Sequence, residues 1–437
     1  MNFSKVCVFG LGYIGLPYAA TFATHGLRVV GVDINPKVVA TLQNGGIHIH
    51  EPSLRTVVQA AVKSGNLTVS TRPEEADAFI IAVPTPFKQA EERPTNGQAA
   101  DPKADMSYVT AAAEAIVPYL RRGNLVMLES TSPPRTTVDL VAPILEKSGL
   151  RAGPDFHLAY TPERVLPGQI LRELIENARV LGGIDRASTE AARDLYTTFV
   201  RGQIVLTDAT TAEMVKLMEN TTRDINIAIA NEFSRLADHF GVDVWEAIGI
   251  ANLHPRINIL RPGPGVGGHC ISVDPWFLVE AAPTIATLIR TARQVNDGQP
   301  DFVVDLVART AERLEGKRIA ALGLAFKPDV DDLRESPAVA ICQALALRGA
   351  DVKAHEPFKA DAAFEGFTTT PTLDAAIQDA DILLILVAHR AFKELDPQKL
   401  VAQTKARTVI DTVDICDRAA WRAAGFHVVT LGVGKTQ

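Results

Sequence analysis

The chain has 437 residues, of which 47% are hydrophobic, and its formal net charge is -7 at pH 7. This length exceeds what one hydrophobic core usually serves, so we expect more than one domain. The acidic balance excludes the broad positive surface that nucleic-acid binding requires, and no apolar run in the sequence approaches the length needed to span a membrane.

The four cysteines, Cys7, Cys270, Cys342 and Cys416, form no CxxC pair. Such wide spacing is typical of a reduced intracellular protein rather than of a disulfide framework or a zinc site. The chain also begins without a signal-peptide pattern. We therefore expect a soluble cytoplasmic protein that binds no metal, no nucleic acid and no membrane.

Short apolar runs alternate with helical stretches through residues 1–200. The runs are KVCVFG from Lys5, RVVGVD from Arg28, AFIIAV from Ala78 and LVMLES from Leu125. This pattern predicts buried parallel strands in an α/β domain. The stretch that starts at Lys88 and reads KQAEERPTNGQAADPKAD has no apolar periodicity, which predicts a surface loop.

A glycine motif stands between the first predicted strand and the helix after it. Gly10, Gly12 and Gly15 form GxGxxG, which supplies the tight turn and close backbone approach that a dinucleotide pyrophosphate needs. Asp33 ends the second predicted strand, where a carboxylate can bind the ribose hydroxyls and would repel a 2′-phosphate. The sequence therefore predicts an NAD site in preference to an NADP site.

Polar residues also interrupt two later segments. Glu163 lies in the loop TPERVLPG. Its carboxylate either activates a water molecule or belongs to an ordinary surface acid. A long helix is predicted from about Thr211 to Phe240, and on it Lys216, Asn220 and Arg223 share one face at i, i+4 and i+7. This face is either a solvated stripe or an inward one, in which Lys216 is suited to stabilising an oxyanion.

The segment PGPGVGGHCISVDPWFL, which starts at Pro262, places Cys270 in a glycine-rich loop. Asp274 and Pro275 form a cap and first-turn pair, so a helix is expected to begin there. A thiol beside a hydride acceptor suggests an oxidation that passes through a covalent thioester. The neighbouring His269 is a base or a residue that orients the loop.

The α/β pattern restarts at Lys317 with KRIAALG, DVKAHEP, DILLILVA and RTVIDT. The start KRIAALGLAFK resembles KVCVFGLGYIG but lacks its glycine spacing, so we expect it to bind something other than a second NAD. The predicted fold is α/β, with two Rossmann-like parallel-sheet domains joined by a central helical region that contains a long helix. The predicted domains are residues 1–200, 201–315 and 316–437.

The motifs together resemble the UDP-glucose/GDP-mannose dehydrogenase family. The similarity rests on GLGYIGLP, VPTP, TPERVLPG, EMVKLMENTTRDINIAIANE, the cysteine loop and FKPDVDDLRESPA. It implies a four-electron oxidation of a sugar C6 hydroxyl to a carboxylate with two NAD molecules. The wording of the cysteine loop points to a UDP-N-acetylhexosamine substrate, of the manno configuration in preference to the gluco epimer.

The resemblance also implies a role for individual residues. Cys270 is the nucleophile that forms a thiohemiacetal and then a thioester, and Lys216 is its acid/base or oxyanion partner. Asp274 assists through a water, Glu163 helps the hydrolysis, and Asn220 completes the catalytic set. The implied NAD contacts are the three glycines, Tyr13, Ile14, Asp33, Thr85, Thr131 and Arg334. The implied UDP-sugar contacts are Arg164, Val165, Lys216, Asn220, Arg223, His254, Arg256, Gly267, Phe326 and Lys327.

Two further expectations come from the family pattern. The arginine that matches Arg256 reaches into the neighbouring subunit's site, which implies at least a homodimer. Val413 stands where the family commonly has an arginine near the substrate, which leaves the choice of sugar open. Two other hypotheses are a non-catalytic nucleotide-sugar sensor and a one-step hydroxyacid dehydrogenase, which needs neither the thiol nor a second Rossmann-like half.

Overall fold

A computed structural model describes residues 1–49, 51–88, 101–166 and 168–434. Most of the loop predicted from Lys88 therefore lies outside the described residues. The chain divides into two compact units, one formed by Met1–Glu219 with Trp276–Pro283 and the other by Asn220–Pro275 with Thr284–Gln437. Each unit is built around its own mostly parallel sheet, which confirms the predicted α/β class.

The first unit contains an eight-stranded sheet of order β3-β2-β1-β4-β5-β6-β7-β8. Its strands are β1 Lys5–Phe9, β2 Arg28–Val32, β3 Leu67–Ser70, β4 Ala78–Ile81, β5 Leu125–Leu128, β6 His157–Tyr160, β7 Arg179–Gly183 and β8 Ile204–Asp208. All four predicted apolar runs are strands of this sheet. They are apolar without alternation because both faces are covered: Val6 and Val8 face one hydrophobic cluster, and Cys7 and Phe9 face the other.

One pair in this sheet departs from the predicted parallel pattern. Strand β7 runs antiparallel to β6, with Ala159 opposite Gly183 and Tyr160 opposite Gly182. A parallel neighbour requires a connection that crosses back to the starting edge of the sheet. The connection from β6 to β7 instead stays at the edge of the sheet where β6 ends, so β7 begins at that edge and runs in the opposite direction. The last two strands, β7 and β8, are again parallel to each other.

Within the described part of residues 1–200, seven α-helices pack around this sheet. They are α1 Gly15–Thr24, α2 Pro36–Gln43, α3 Leu54–Lys63, α4 Ser107–Ile116, α5 Ala142–Leu145, α6 Ile170–Glu176 and α7 Arg186–Tyr196. Local sequence fixes several starts: the side chain of Asn35 caps α2 ahead of Pro36, and Asp185 accepts a hydrogen bond from the backbone N–H of Ser188 in α7.

The central region is helical. Its helices are α8 Ala209–Phe240, α9 Val244–Ala251, α10 Asp274–Ala281, α11 Thr287–Asp297 and α12 Gln299–Ala311. The predicted long helix is confirmed as α8, and α10 begins at Asp274 as expected. Across the described ranges, a helix that combines the length and hydropathy needed to cross a membrane is not found.

The second sheet has six parallel strands in the order β11-β10-β9-β12-β13-β14. They are β9 Arg318–Leu322, β10 Asp351–His355, β11 Thr368–Thr370, β12 Ile382–Ile385, β13 Thr408–Asp411 and β14 His427–Thr430. The surrounding helices are α13 Pro337–Leu347, α14 Leu373–Ile377, α15 Arg390–Lys393, α16 Pro397–Gln403 and α17 Arg418–Ala423. The order repeats that of the first six strands of the N-terminal sheet, so the predicted pair of Rossmann-like halves is confirmed.

Candidate active site

The turn between β1 and α1 has the geometry of a pyrophosphate cradle. Gly10 has a φ of 84°, and a Cβ there would lie 2.6 Å from the carbonyl oxygen of Ala82. A Cβ on Gly15 would lie 1.8 Å from the carbonyl oxygen of Gly10, whereas one on Gly12 would meet nothing within 4 Å. The first and last glycines therefore allow close packing, and the middle one leaves open space above the backbone.

Asp33 is tied to this turn. Its Oδ2 accepts a hydrogen bond from the Leu11 N–H at 3.0 Å, and its Oδ1 accepts one from the Asn35 N–H at 2.9 Å. The next residue, Ile34, is 80% exposed. An apolar side chain that is exposed to solvent beside this carboxylate is suited to packing on a flat aromatic ring. The sequence analysis missed Ile34, although an apolar residue directly after the strand-ending acid is a usable signal.

Two loops meet at the carboxyl ends of β4 and β5. The Thr85 hydroxyl donates to the Thr131 carbonyl oxygen at 2.7 Å, and the Ser130 hydroxyl donates to the Val83 carbonyl oxygen at 2.7 Å. Strand β1 lies between β2 and β4, so the strand order reverses beside the glycine turn, and ligands of such sheets bind at this switch point. Tyr13 and Ile14 lie at the end of the turn, just before α1. These residues fit a dinucleotide.

Glu163 is 8% exposed, so it is not a surface acid. Its Oε1 accepts hydrogen bonds from the backbone N–H groups of Arg164 at 2.6 Å and Val165 at 2.8 Å. The Tyr18 hydroxyl donates to Oε2 at 2.6 Å. Both oxygens are therefore engaged in holding the loop that carries two of the predicted substrate contacts. The Arg164 guanidinium pairs with Glu219, 2.6 Å from Nη2 to Oε1.

A buried cation balances Glu163. Arg179 is 4% exposed, and its Nη1 lies 3.8 Å from Glu163 Oε2. Its guanidinium packs over the rings of Tyr18 and Tyr196, with centroid distances of 5.4 Å and 5.3 Å. Burial raises the pKa of the neighbouring Glu129 well above its ordinary range. Glu163 and Glu129 are therefore two acidic side chains that face the buried guanidinium of Arg179.

The cysteine loop belongs to the second unit and is held at several points. The Gly268 N–H donates to the Arg334 carbonyl oxygen at 3.1 Å, and the Cys270 carbonyl accepts from the N–H groups of Val273 at 3.1 Å and Asp274 at 2.8 Å. A Cβ on Gly267 would lie 2.4 Å from the carbonyl oxygen of Glu335. The predicted contacts Gly267 and Arg334 are thus brought to the same loop as Cys270.

Exposure distinguishes Cys270 from the other thiols. Cys270 is exposed, whereas Cys7, Cys342 and Cys416 are buried. Burial raises the pKa of the Cys7 thiol to about 12 and raises the pKa values of Cys342 and Cys416 as well. A thiol that cannot ionise cannot act as a nucleophile at neutral pH, so Cys270 is the candidate.

Two residues close to Cys270 in sequence, His269 and Asp274, have defined surroundings. Asp274, at the start of α10, is 2% exposed, and the Asn220 Nδ2 donates to its Oδ2 at 2.5 Å. The structure therefore brings together two residues that the sequence analysis grouped only through the family resemblance. Burial lowers the pKa of His269, and the positive charge of Arg334 lowers it further, so the ring is neutral at pH 7.

Lys216 of α8, in the first unit, is 8% exposed. Its ammonium has no hydrogen-bond or ion-pair partner within the described ranges. An ammonium that has no protein partner and stands on a largely buried side chain is suited to an anionic ligand or a developing oxyanion. Further along α8, Asn220 is half-buried and Arg223 is exposed.

A cavity of about 570 Å³ lies within the second unit. Its apolar wall includes Trp245, Phe326 and Val413, and the cations Arg261 and Lys393 also line it. Its acid, Asp414, is paired with Arg418 at 2.7 Å. The site residues that sequence reasoning missed are Trp245, Arg261 and Lys393. Arg261 stands directly before the proline-glycine loop, which is a usable signal, whereas Lys393 reaches the cavity only through the folding of the second sheet.

The other predicted substrate contacts also belong to the second unit. Burial lowers the pKa of Lys327, and the positive charge of Arg223 lowers it further. The Lys327 ammonium lies 6.0 Å from the ring centroid of Phe326. His254 and Arg256 follow α9, where the Arg256 N–H lies 3.4 Å from His254 Nδ1.

The sequence matches three consecutive domains of one protein family. The NAD binding domain of the UDP-glucose/GDP-mannose dehydrogenase family matches residues 4–200, its central domain matches residues 210–298, and its UDP binding domain matches residues 320–418. The chain belongs to this family. The glycine turn and Asp33 fall in the NAD binding domain, Cys270 falls in the central domain, and Phe326 and Val413 fall in the UDP binding domain.

Relatives within the UDP-glucose/GDP-mannose dehydrogenase family cover nearly the whole chain. UDP-N-acetyl-D-mannosamine dehydrogenase of Methanocaldococcus jannaschii is 46% identical, over 99% of this chain and 97% of its own. NDP-N-acetyl-D-galactosaminuronic acid dehydrogenase of Ralstonia nicotianae is 48% identical, over 97% of each chain. The solved structure of UDP-D-ManNAc dehydrogenase from Pyrococcus horikoshii has a TM-score of 0.88 at 38% identity, covering 99% of this chain and 100% of its own.

Membership of the family settles the general chemistry. The chain is an NAD-dependent dehydrogenase that oxidises a UDP-sugar. This result confirms the expected NAD cofactor and the expectation of an enzyme. The identity of the sugar and the part played by the thiol are separate questions.

Proposed function

We propose that the chain oxidises the C6 hydroxyl of UDP-N-acetyl-D-mannosamine to the carboxylate of UDP-N-acetyl-D-mannosaminuronate in two successive oxidations. The names of the Methanocaldococcus and Pyrococcus relatives carry the choice of sugar. Residues 1–200 form the NAD-binding domain, residues 201–315 the central helical domain, and residues 316–437 the domain for the UDP-sugar. A thiol nucleophile must stay reduced, which supports a cytoplasmic location.

Cys270 supplies the covalent chemistry. The Gly10 to Gly15 turn and Asp33 would hold NAD, which would supply the oxidant for each of the two oxidations at C6. The aldehyde carbon formed first is open to attack by the Cys270 thiolate, which gives a thiohemiacetal. After the second oxidation the same carbon is held on sulfur as a thioester, and water releases the carboxylate and restores the thiol.

The other residues stabilise charge, orient water and position the loop beside the substrate. Lys216 stabilises the oxyanion at C6 or exchanges its proton, a role supported by its largely buried side chain, whose ammonium has no partner among the described residues. Asn220 and Asp274, joined at 2.5 Å, orient the water of the final step. Glu163 assists the hydrolysis through the loop of Arg164 and Val165, because its own oxygens are already engaged.

The remaining contacts fall into two groups. On the NAD side we place Tyr13, Ile14, Thr85, Thr131 and Arg334. On the UDP-sugar side we place Arg223, His254, Arg256, Gly267, Phe326 and Lys327. The cavity suits a nucleoside diphosphate because it combines aromatic and aliphatic walls with the cations Arg261 and Lys393. These two cations supply the positive charge of the arginine that Val413 replaces.

A homodimer accounts for an exposed apolar stripe on α8. Ile229, Phe233, Leu236 and Phe240 follow one another at helical spacing and are 43%, 42%, 42% and 70% exposed. Phe233→Lys is expected to shift the protein from dimer to monomer in sedimentation velocity and to abolish activity, because Arg256 then has no partner site. An active monomer would contradict this.

The sugar and the number of oxidations can be measured together. The enzyme is expected to release two NADH per UDP-N-acetyl-D-mannosamine consumed, with a kcat/KM above those for the gluco and galacto epimers. The galacto epimer is included because the Ralstonia relative, at 48% identity, is named for that configuration. A single epimer contact is worth a factor of about 10 to 200. A preference for another epimer would overturn the choice of sugar, and one NADH per sugar would overturn the two-step course.

A further inference from the structure

Asparagines of α8 hold the segment that carries Cys270. The Asn226 Nδ2 donates to the Asn258 carbonyl oxygen at 2.8 Å, and its Oδ1 accepts from the Leu260 N–H at 2.9 Å. One and a half turns further along, the Asn231 Oδ1 accepts from the Gly263 N–H at 3.0 Å. Together with the bond from Asn220 to Asp274, these contacts tie the segment to one helix on both sides of Cys270.

The amide of Asn231 is itself fixed by buried neighbours. Asn231 is 0% exposed, and its Nδ2 donates to the Asn296 Oδ1 at 2.9 Å. The Asn296 Nδ2 in turn donates to the Asp224 Oδ1 at 2.8 Å, and Asp224 pairs with the buried Arg293 at 2.5 Å. The amide donors of Asn231 and Asn296 each have a defined acceptor, so the Asn231 oxygen has one orientation, which is toward Gly263.

The stretch from Pro262 to Pro264 is stiff, so the position of Gly263 restricts the position of the loop that follows it. Gly263 stands between Pro262 and Pro264, which have fixed φ angles and no N–H groups. The Gly263 N–H is therefore the backbone donor that this stretch offers between its prolines, and Asn231 takes it. Beyond Pro264, the loop is next fixed where Gly268 donates to the Arg334 carbonyl oxygen at 3.1 Å. Little chain is left in which a displacement at Gly263 can be absorbed before Cys270.

We propose that Asn226 and Asn231 are positioning residues for Cys270. Their side chains form hydrogen bonds with backbone groups and with another buried side chain, so they influence Cys270 by holding the loop that carries it. An α-helix is a rigid spacer of about 1.5 Å per residue, so α8 holds the two anchors and Asn220 at fixed separations. The inference rests on the proposed function, in which the thiolate must reach the aldehyde carbon before that carbon escapes.

Asn226→Ala tests the proposal, because Asn226 is half-buried and its loss leaves the buried network of Asn231 intact. Asn226→Asp keeps the acceptor for Leu260 and removes the donor to Asn258. Asn66→Ala is the matched control: Asn66 is also half-buried, and its side chain donates to the Ala23 carbonyl oxygen at 3.1 Å in the first unit. All variants are assayed as the full-length enzyme.

The main measurement is the number of NADH released per UDP-sugar consumed in the presence of semicarbazide, which traps free aldehyde. Wild type and Asn66→Ala are expected to give two. Asn226→Ala is expected to fall toward one, because a displacement of about 1 Å slows a reaction step by roughly a hundredfold and leaves time for trapping. Asn226→Asp is expected to lie between them. An unchanged ratio in Asn226→Ala, whatever its overall rate or melting temperature, would overturn the proposal.

A second measurement does not depend on the sugar. The pH profile for alkylation of Cys270 by iodoacetamide, followed by mass spectrometry of the peptide, is expected to shift in Asn226→Ala and to stay unchanged in Asn66→Ala. Superimposable profiles would contradict a positioning role. If wild-type enzyme released no NADH from any UDP-N-acetylhexosamine, the proposed function would fail, while the alkylation profiles would still decide whether Asn226 positions the thiol.

Discussion

Cys270→Ser is expected to retain UDP-sugar binding and to lose uronate formation by about a thousandfold or more. A serine hydroxyl is far harder to ionise than a thiol, so the variant lacks the nucleophile that captures the aldehyde. Binding should persist because Cys270 is exposed and the loop is held by its neighbours, with Gly268 bonded to the Arg334 carbonyl and Asp274 to Asn220. Uronate is measured by liquid chromatography with mass spectrometry, and binding by isothermal titration calorimetry.

Cys342→Ala is the matched control for this variant. Cys342 is fully buried in the second unit, and its high pKa removes it from thiol chemistry. Its replacement is expected to lower the melting temperature through a small cavity and to leave kcat near the wild-type value. If Cys270→Ser made uronate at a rate near that of wild type, covalent catalysis would be refuted. If it failed to bind the UDP-sugar, Cys270 would be a binding residue.

The parts of the fold that could be predicted are those in which one strand buries both faces. Strands β1, β2, β4 and β5, together with β9 and β12 of the second sheet, produce nearly unbroken apolar runs for that reason. Strand β8 was not predicted, because its side chains, including Val205 and Leu206 at 41% and 43% exposed, follow no alternation. Strand β11, Thr368–Thr370, has no apolar residue, and its pairing with β10 places it in the sheet.

The candidate site also contains residues that could be predicted from local sequence and residues that could not. The glycine turn, Asp33 and the Cys270 loop are local motifs, so their spacing could be read directly. Lys393, by contrast, reaches the cavity from α15, and Asn231 contacts Gly263, which lies 32 positions further along the sequence. No local pattern reports such pairs, because they depend on which elements become neighbours in the folded chain. Burial is a further quantity that spacing does not give: Glu163 and Arg223 both looked like loop or surface charges, yet only Glu163 is buried.

Lys216→Ala is expected to lower kcat by about a hundred- to a thousandfold, with little change in the affinity for NAD. Removal of a single donor to a developing oxyanion typically costs this much. NAD affinity should persist because the glycine turn and Asp33 are held by their own contacts, including the bond from the Leu11 N–H to Asp33. The two quantities are measured by steady-state kinetics and by NAD titration. Loss of NAD binding with an unchanged kcat would place Lys216 outside the chemistry.

Two further variants separate the possible roles of Lys216. Lys216→Arg keeps the positive charge but has no proton to give at neutral pH, so partial activity indicates electrostatic stabilisation and full loss indicates proton transfer. The control is Lys63→Ala, which removes an exposed lysine at the end of α3. Because the Lys216 ammonium has no hydrogen-bond or ion-pair partner among the described residues, Lys216→Ala is also expected to keep the melting temperature near the wild-type value. A catalytic loss together with nearly unchanged stability is the result expected of a residue retained for chemistry, whereas a general structural role would lower both.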